Sequence, residues 1–322
     1  MLTTGILLFA KGKDAKAGIV STNHKKYSYK EYVKDIEQLQ EKYPEQCLVK
    51  VAGTTADNRK IYEIVLGNPE AEKHLVVMGN LHAREYMTIQ LCMKQIERYL
   101  ERYNKKVDGV KIKDTLDEVA IHYFPSCNPD GTAISQYGFK AIRNKTLRRK
   151  LYKMSGSATR WKANARGVDL NRNWNVGFKK KGKPNALRYP GAKPESENEV
   201  KALLKAVDAI QETGKVVGIV SYHSTGSIIY GKCMSVATKG TKKTTTKMYK
   251  LARKLTGYKV MPADKGTKPS GGFSREYFLY KRNIPFITIE VGVNPCPLSA
   301  KEFPSIWKKN KDLVIKEAML FD

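Results

Sequence analysis

Hydrophobic positions change spacing repeatedly along this chain. From Tyr29 to Tyr43 they recur at steps of three and four residues, at Tyr32, Ile36 and Leu39, which predicts a helix stopped by Pro44. Leu48–Gly53 and Ile61–Gly67 read as paired strands with Asp57-Asn58 in the turn between them. His74–Met78 is a short apolar run suited to a buried strand. It leads through Gly79-Asn-Leu-His82-Ala-Arg-Glu85 into a helical pattern that continues to Leu100. Val119–Phe124 is a further strand, and Asn128-Pro-Asp-Gly131 after it is a turn signal. Residues 132–195 read as loop-rich and basic. Helices are then expected at Glu195–Glu212, Thr245–Leu255 and Ser299–Leu320, with strands at Val216–Tyr222 and Phe286–Val291.

Short apolar strands alternating with helices imply an α/β fold, with a mixed, mostly parallel sheet covered on both faces. No repeat and no Pro/Gly/Ser linker divides the chain. Residues 26–322 are therefore assigned to one domain, and residues 1–25 to an N-terminal segment whose role the pattern leaves open. Its apolar patch, Met1–Ala10, reads equally as the remnant of a trimmed signal, an artificial leader or a first strand. No stretch reaches the ~20 apolar residues that span a bilayer.

Composition adds a charge to this picture. The 322 residues carry 59 Lys and Arg against 31 Asp and Glu, a formal net charge of +28. Such a surface suits a polyanionic environment: nucleic acid, anionic lipid or bacterial wall polymer. No zinc-finger spacing, basic zipper or aromatic-interleaved signature supports specific nucleic-acid recognition. The basic runs Lys179–Lys183 and Lys239–Lys247 read, each alone, as solvated faces. Five cysteines without CxxC spacing argue against a cysteine zinc site, and we read them as mostly buried small apolar residues.

The candidate chemistry lies just after strand ends, where open α/β sheets hold ligands. His82 and Glu85, two residues apart in a turn, can face one ion. His223, following the Val216–Tyr222 run, can add the third ligand. Two imidazoles and a carboxylate with a fourth position left to water make a catalytic zinc sphere. Glu290, at the end of an apolar strand, reads either as a salt-bridged carboxylate or as a general base beside the metal. Asp169 can accept from the distal nitrogen of a ligating histidine. Asn171 and Arg172 together form a hydrogen-bonding fork suited to a carboxylate.

The chain resembles the zinc carboxypeptidase A-like family of metallopeptidases. The resemblance runs from about Tyr29 to the C-terminus. It is carried by His82-Ala-Arg84-Glu85, Asn128-Pro-Asp-Gly131, Gly167–Trp174, Ser221-Tyr-His223-Ser, Ser270-Gly-Gly272 and Glu290, in that order. It implies an eight-stranded mixed sheet between helices and one zinc per chain, held by His82, Glu85 and His223. Glu290 would activate the attacking water and protonate the leaving amine. Arg84 would assist the scissile carbonyl or the substrate backbone, and Asn171 and Arg172 would grip the substrate's terminal carboxylate.

Two departures narrow the resemblance. Lys162 stands where the family usually has an arginine after a tryptophan, so a cation remains there without the bidentate fork. Thr267 stands where the family has a mobile tyrosine, three residues before Ser270-Gly-Gly. Together with the phrase Trp161-Lys-Ala-Asn and the strand Phe286-Ile-Thr-Ile-Glu290-Val-Gly, these resemble a bacterial branch that cleaves the γ-D-glutamyl–diaminopimelate bond of peptidoglycan stem peptides. The residues just after Gly272, namely Phe273, Ser274 and Arg275, are expected to line the side-chain pocket, where Arg275 would pair the side-chain carboxylate of diaminopimelate; Arg275 reads equally as a surface charge at a helix start. The expected location is extracellular or wall-associated in a bacterium, with the cytoplasm open as an alternative. Two other readings stay open: a general peptide carboxypeptidase, and a non-catalytic wall or polyanion binder on the same scaffold.

Overall fold

The computed structural model describes residues 18–23, 26–263 and 268–322. The N-terminal apolar patch and Thr267 lie outside the described residues. The chain runs through α1 (Tyr29–Lys42), β1 (Cys47–Thr54), β2 (Lys60–Leu66), β3 (Lys73–Gly79), α2 (Met87–Glu101), a small hairpin of β4 (Lys106–Val107) and β5 (Val110–Lys111), α3 (Ile112–Glu118) and β6 (Val119–Phe124). It continues through α4 (Pro129–Tyr137), α5 (Lys145–Tyr152), α6 (Asn198–Thr213), β7 (Lys215–His223), β8 (Ile228–Tyr230), α7 (Lys239–Thr256) and β9 (Lys259–Val260). It closes with α8 (Ser274–Glu276), β10 (Phe286–Glu290), α9 (Phe303–Asn310) and α10 (Leu313–Ala318).

Eight strands form one sheet in the order β1-β2-β6-β3-β7-β10-β8-β9. The four central strands, β6, β3, β7 and β10, run parallel. Antiparallel pairs flank them on both sides. Because strand side chains alternate, β3 sends Leu75 and Val77 into one core and Val76 and Met78 into the other. The first core is closed by Ile36 and Leu39 of α1, Ile89 and Met93 of α2, and Val314 and Ile315 of α10. The second is closed by Leu203 and Val207 of α6 with Phe278 and Phe286. The central strands are thus buried on both faces, which is why their sequence is mainly apolar rather than alternating.

Three expectations needed correction. Asn128-Pro-Asp-Gly is not a free turn but the start of α4: the Asn128 side chain accepts from Gly131 N at 3.0 Å, and Pro129 occupies the first helical position. Residues 132–195 are less loop-like than expected. They contain most of α4 and all of α5, packed with Ala83, Ile142 and Ala163 around the fully buried Trp161. The closing helix is broken. Gln95 Nε2 donates to the Asn310 carbonyl at 2.7 Å, so that oxygen is drawn away from the helical ladder, and α9 ends there.

Candidate active site

The ends of β3, β7 and β10 lie side by side, and each delivers a polar group. After β3, the Glu85 amide donates to the His82 carbonyl at 3.0 Å, so the two residues share one tight turn. Asn80, in the left-handed region (φ 58°), ties this turn down by donating to the same carbonyl. His223 ends β7 and pairs in register with Glu290, which ends β10.

The result is a buried three-residue cluster. His82 Nδ1 lies 2.9 Å from Glu85 Oε1, and His223 Nδ1 lies 3.0 Å from Glu85 Oε2. The two Nδ1 atoms are 3.0 Å apart. Their candidate ligand atoms all fall within 4.8 Å of one another. Two imidazole nitrogens facing each other beside a carboxylate, away from water, suit a shared divalent cation, and two histidines with one carboxylate suit zinc. The donor set therefore fits the metal that the sequence implied.

Asp169 sits behind this cluster as a hub. Its Oδ1 is 3.3 Å from His82 Nε2, while its Oδ2 is 3.7 Å from Lys162 Nζ and 3.5 Å from Arg172 Nε. Burial by itself would raise the pKa of this carboxyl. Lys162, His82 and Arg172 outweigh it and hold the group well below the usual carboxylate range. With a proton on Nε2, His82 presents a lone pair at Nδ1, the form a metal needs. Lys162 is brought here by the backbone, because Ala83 N donates to the Lys162 carbonyl at 3.1 Å.

A cleft of about 260 Å³ opens beside the cluster, lined by His82, Lys162, Asn171, His223, Arg275 and Glu290 among others. Burial pushes the Glu290 pKa up to about 7, the Glu85 charge adding to it and His223 and Lys162 opposing. Asn171 is held by Ser274, a residue expected at the pocket but not as a partner of Asn171. Its Oδ1 accepts from both the amide and the hydroxyl of Ser274, at 3.0 and 2.8 Å. That bond fixes the amide so that its NH₂ remains for the cleft.

Gly272 makes this approach feasible. At φ 68° its Cβ position lies 2.3 Å from the Arg172 carbonyl oxygen, so a side chain would collide with backbone. No local pattern pairs Asn171 with Ser274, 103 residues away; only the adjacent Ser270-Gly-Gly272 string hinted at it. Tyr230, also lining the cleft, was missed because β8 is too short to read, and Thr288 because it lies inside β10, where the sequence marked only the terminal Glu290.

Not every expected residue reaches this cleft. Arg172 stacks over the Phe273 ring at 5.0 Å and borders a neighbouring groove of about 350 Å³ with Lys181 and Arg188, so the expected fork is split between two spaces. Arg84 is half-buried next to the ligands but is not among the residues lining the cleft. Arg275 lines it, with Nη2 donating to the Lys232 carbonyl at 2.6 Å.

The zinc carboxypeptidase family model matches residues 32–313. The chain belongs to this family of metallopeptidases. As a zinc carboxypeptidase-family chain it is 24% identical over 297 residues to γ-D-glutamyl-L-diamino acid endopeptidase 1 of Lysinibacillus sphaericus, covering 88% of this chain and 70% of that protein. It is 30% identical over 188 residues to carboxypeptidase A2 of Rattus norvegicus, covering 56% of this chain and 41% of that protein. Thrombin activatable fibrinolysis inhibitor shares the fold with a TM-score of 0.71 at 17% identity, over 95% of this chain and 80% of that one. So does a metallo-carboxypeptidase from Burkholderia cenocepacia, with a TM-score of 0.64 at 17% identity, over 93% and 71%. Family membership implies zinc as the metal.

Proposed function

We propose that this zinc carboxypeptidase-family chain hydrolyses a peptide bond near a free C-terminus, and that its substrate is the γ-D-glutamyl–diaminopimelate bond of peptidoglycan stem peptides. The observation that carries the catalytic part is the juxtaposition of the His82–Glu85–His223 cluster with Glu290 on one cleft wall. A zinc ion at the cluster, one per chain, would supply Lewis acidity toward the scissile carbonyl and acidify a water. Glu290, with its raised pKa, takes the proton of the attacking water and hands it to the leaving nitrogen. Lys162 carries positive charge toward the developing oxyanion, with Asp169 orienting both it and His82. Asn171 donates to the substrate's main-chain carboxylate, and Arg172 supports it from the adjoining groove.

Two observations support the wall peptide as substrate. The Lysinibacillus relative is named for γ-D-glutamyl-L-diamino acid cleavage. Arg275 puts a guanidinium at the cleft, where a diaminopimelate side chain bears an extra carboxylate. A wall substrate also accords with the net charge of +28 and with a location outside the cell or in the wall of a bacterium, the cytoplasm being the alternative. A general peptide carboxypeptidase is the alternative, favoured by the match to carboxypeptidase A2. A non-catalytic wall binder is disfavoured because the ligands and Glu290 are all present. The test is incubation of the zinc-loaded protein with γ-D-Glu-diaminopimelate peptides beside peptides ending in Phe or Lys, read by mass spectrometry. Release of C-terminal Phe with no cleavage of the γ-D-Glu bond would leave the general carboxypeptidase standing.

A further inference from the structure

Helix α7 carries seven Lys and Arg and no Asp or Glu over Lys239–Thr256. At 100° per residue, Lys239, Lys243, Lys247, Lys250 and Lys254 fall within about 80° of arc, on a face opposite the buried Met248 and Ala252. All five are exposed, and none forms an ion pair among the described residues. An open groove of about 590 Å³ runs along this face. From Lys239 to Lys254 the row runs over 15 residue steps, about 22 Å at 1.5 Å per residue.

This helix goes against local preference in two ways. Lys239/Lys243, Lys243/Lys247 and Lys250/Lys254 are like-charge pairs four residues apart, which repel on a helix surface. Lys239 and Lys242 also crowd the first turn, the positive end of the helix dipole, where no acidic residue relieves them. Ordinary solvated helices intersperse both signs. A departure of this kind without an internal partner points to an external one.

We propose that the lysine face of α7 docks an anionic polymer with repeating phosphodiesters, of the poly(glycerol phosphate) type found in walls. The choice of polymer rests on the wall-substrate reading above. Nucleic acid fits the face less well. A single strand wants aromatic platforms, and the helix's lone aromatic, Tyr249, is half-buried against the core instead. A flexible phosphate chain without bases asks only for spaced ammonium groups. The loop that enters α7 is tied to the cleft, since the Lys232 carbonyl holds Arg275, so a docked polymer keeps the cleft near its wall substrate.

The test measures binding of fluorescent poly(glycerol phosphate) to the full chain across salt concentrations. Two variants are compared, each removing four charges: K239Q/K243Q/K247Q/K250Q on α7, and K179Q/K180Q/K181Q/K183Q in the other basic run. Glutamine retains good helix propensity, and unchanged turnover of a soluble peptide reports that the α7 variant is folded. The expected result is at least a tenfold loss of affinity for the α7 variant alone, with the slope of log K against log salt shallower by about 3, since each phosphate contact contributes ~0.7–0.9. Equal loss in both variants would show that net charge alone attracts the polymer, and would overturn the proposal. So would no binding by the parent, or tighter binding of single-stranded DNA of matched length. Cleavage of the soluble γ-D-Glu-diaminopimelate peptide is read separately, so failure of the substrate assignment is distinguishable from failure of polymer docking.

Discussion

Asp169 Oδ1 lies 3.3 Å from Nε2 of His82, on the side of the imidazole ring away from Glu85 and His223. The contact joins a residue after β3 to one in a loop 87 positions later, and it decides which nitrogen of His82 is left to bind a metal. Asp169→Asn removes the charge that favours this tautomer. Zinc affinity and turnover should both fall ~10–100-fold, the usual range for such supporting groups. Titration against a zinc chelator beside peptide hydrolysis checks this, and wild-type values for both would refute the role.

Glu290→Gln keeps the shape of the side chain but takes away its basicity. Turnover should drop by at least ~10²–10⁴-fold, the share general acid–base catalysis typically supplies. Bound zinc, measured by elemental analysis, should stay at the parent level, and the melting temperature should hardly change.

Substrate preference should separate the two arginines. Arg172→Ala should weaken hydrolysis of every substrate alike, through KM, because the main-chain carboxylate is common to all. Arg275→Ala should erase only the preference for diaminopimelate over lysine at the C-terminus. Polar groups at a site built for them reject unmatched substrates by ~10⁴ or more, so the parent's preference should be easy to measure. An unchanged ratio in the Arg275 variant would mean that another residue reads the side-chain carboxylate.

Gly272→Ala tests the close approach that holds Asn171 and Ser274 together. An alanine there must adopt φ 68° and place its Cβ 2.3 Å from the Arg172 carbonyl. We expect a stability loss of about 1–3 kcal/mol from backbone strain, together with a raised KM. Parent-like denaturant midpoint and KM would refute it.

Stability should also respond to pH through buried Glu199. Burial, with Asp130 and Glu197 nearby, raises its pKa from 4.5 to about 8. The folded state therefore keeps a proton that the unfolded state releases at 4.5, and this group's contribution is lost as pH rises from there through 8. Buried His74 acts on the other flank. Desolvation and the adjacent His122 lower its pKa from 6.5 to about 4, so it costs stability as pH falls through that window. Melting temperatures measured from pH 5 to 8 should decline less steeply in Glu199→Gln than in the parent.

The sequence by itself determined the central strands, their main covering helices and the residues that carry chemistry. Leu75, Val77 and Val220 sit in apolar runs because the central strands are buried on both faces. His223 and Glu290 stand out because each ends a strand, and His82 and Glu85 because they follow one closely at a ligand-like spacing, a signal that stays local. Tertiary structure decided what spans the chain. It turned Asn128-Pro-Asp-Gly into a helix start and broke the last helix where Gln95 captures the Asn310 carbonyl. It set Arg172 in a groove apart from Asn171, and it brought Ser274 onto Asn171 across 103 residues. Periodicity reports only the face a side chain buries, while the partner it meets depends on strand order and crossover, which no local window contains.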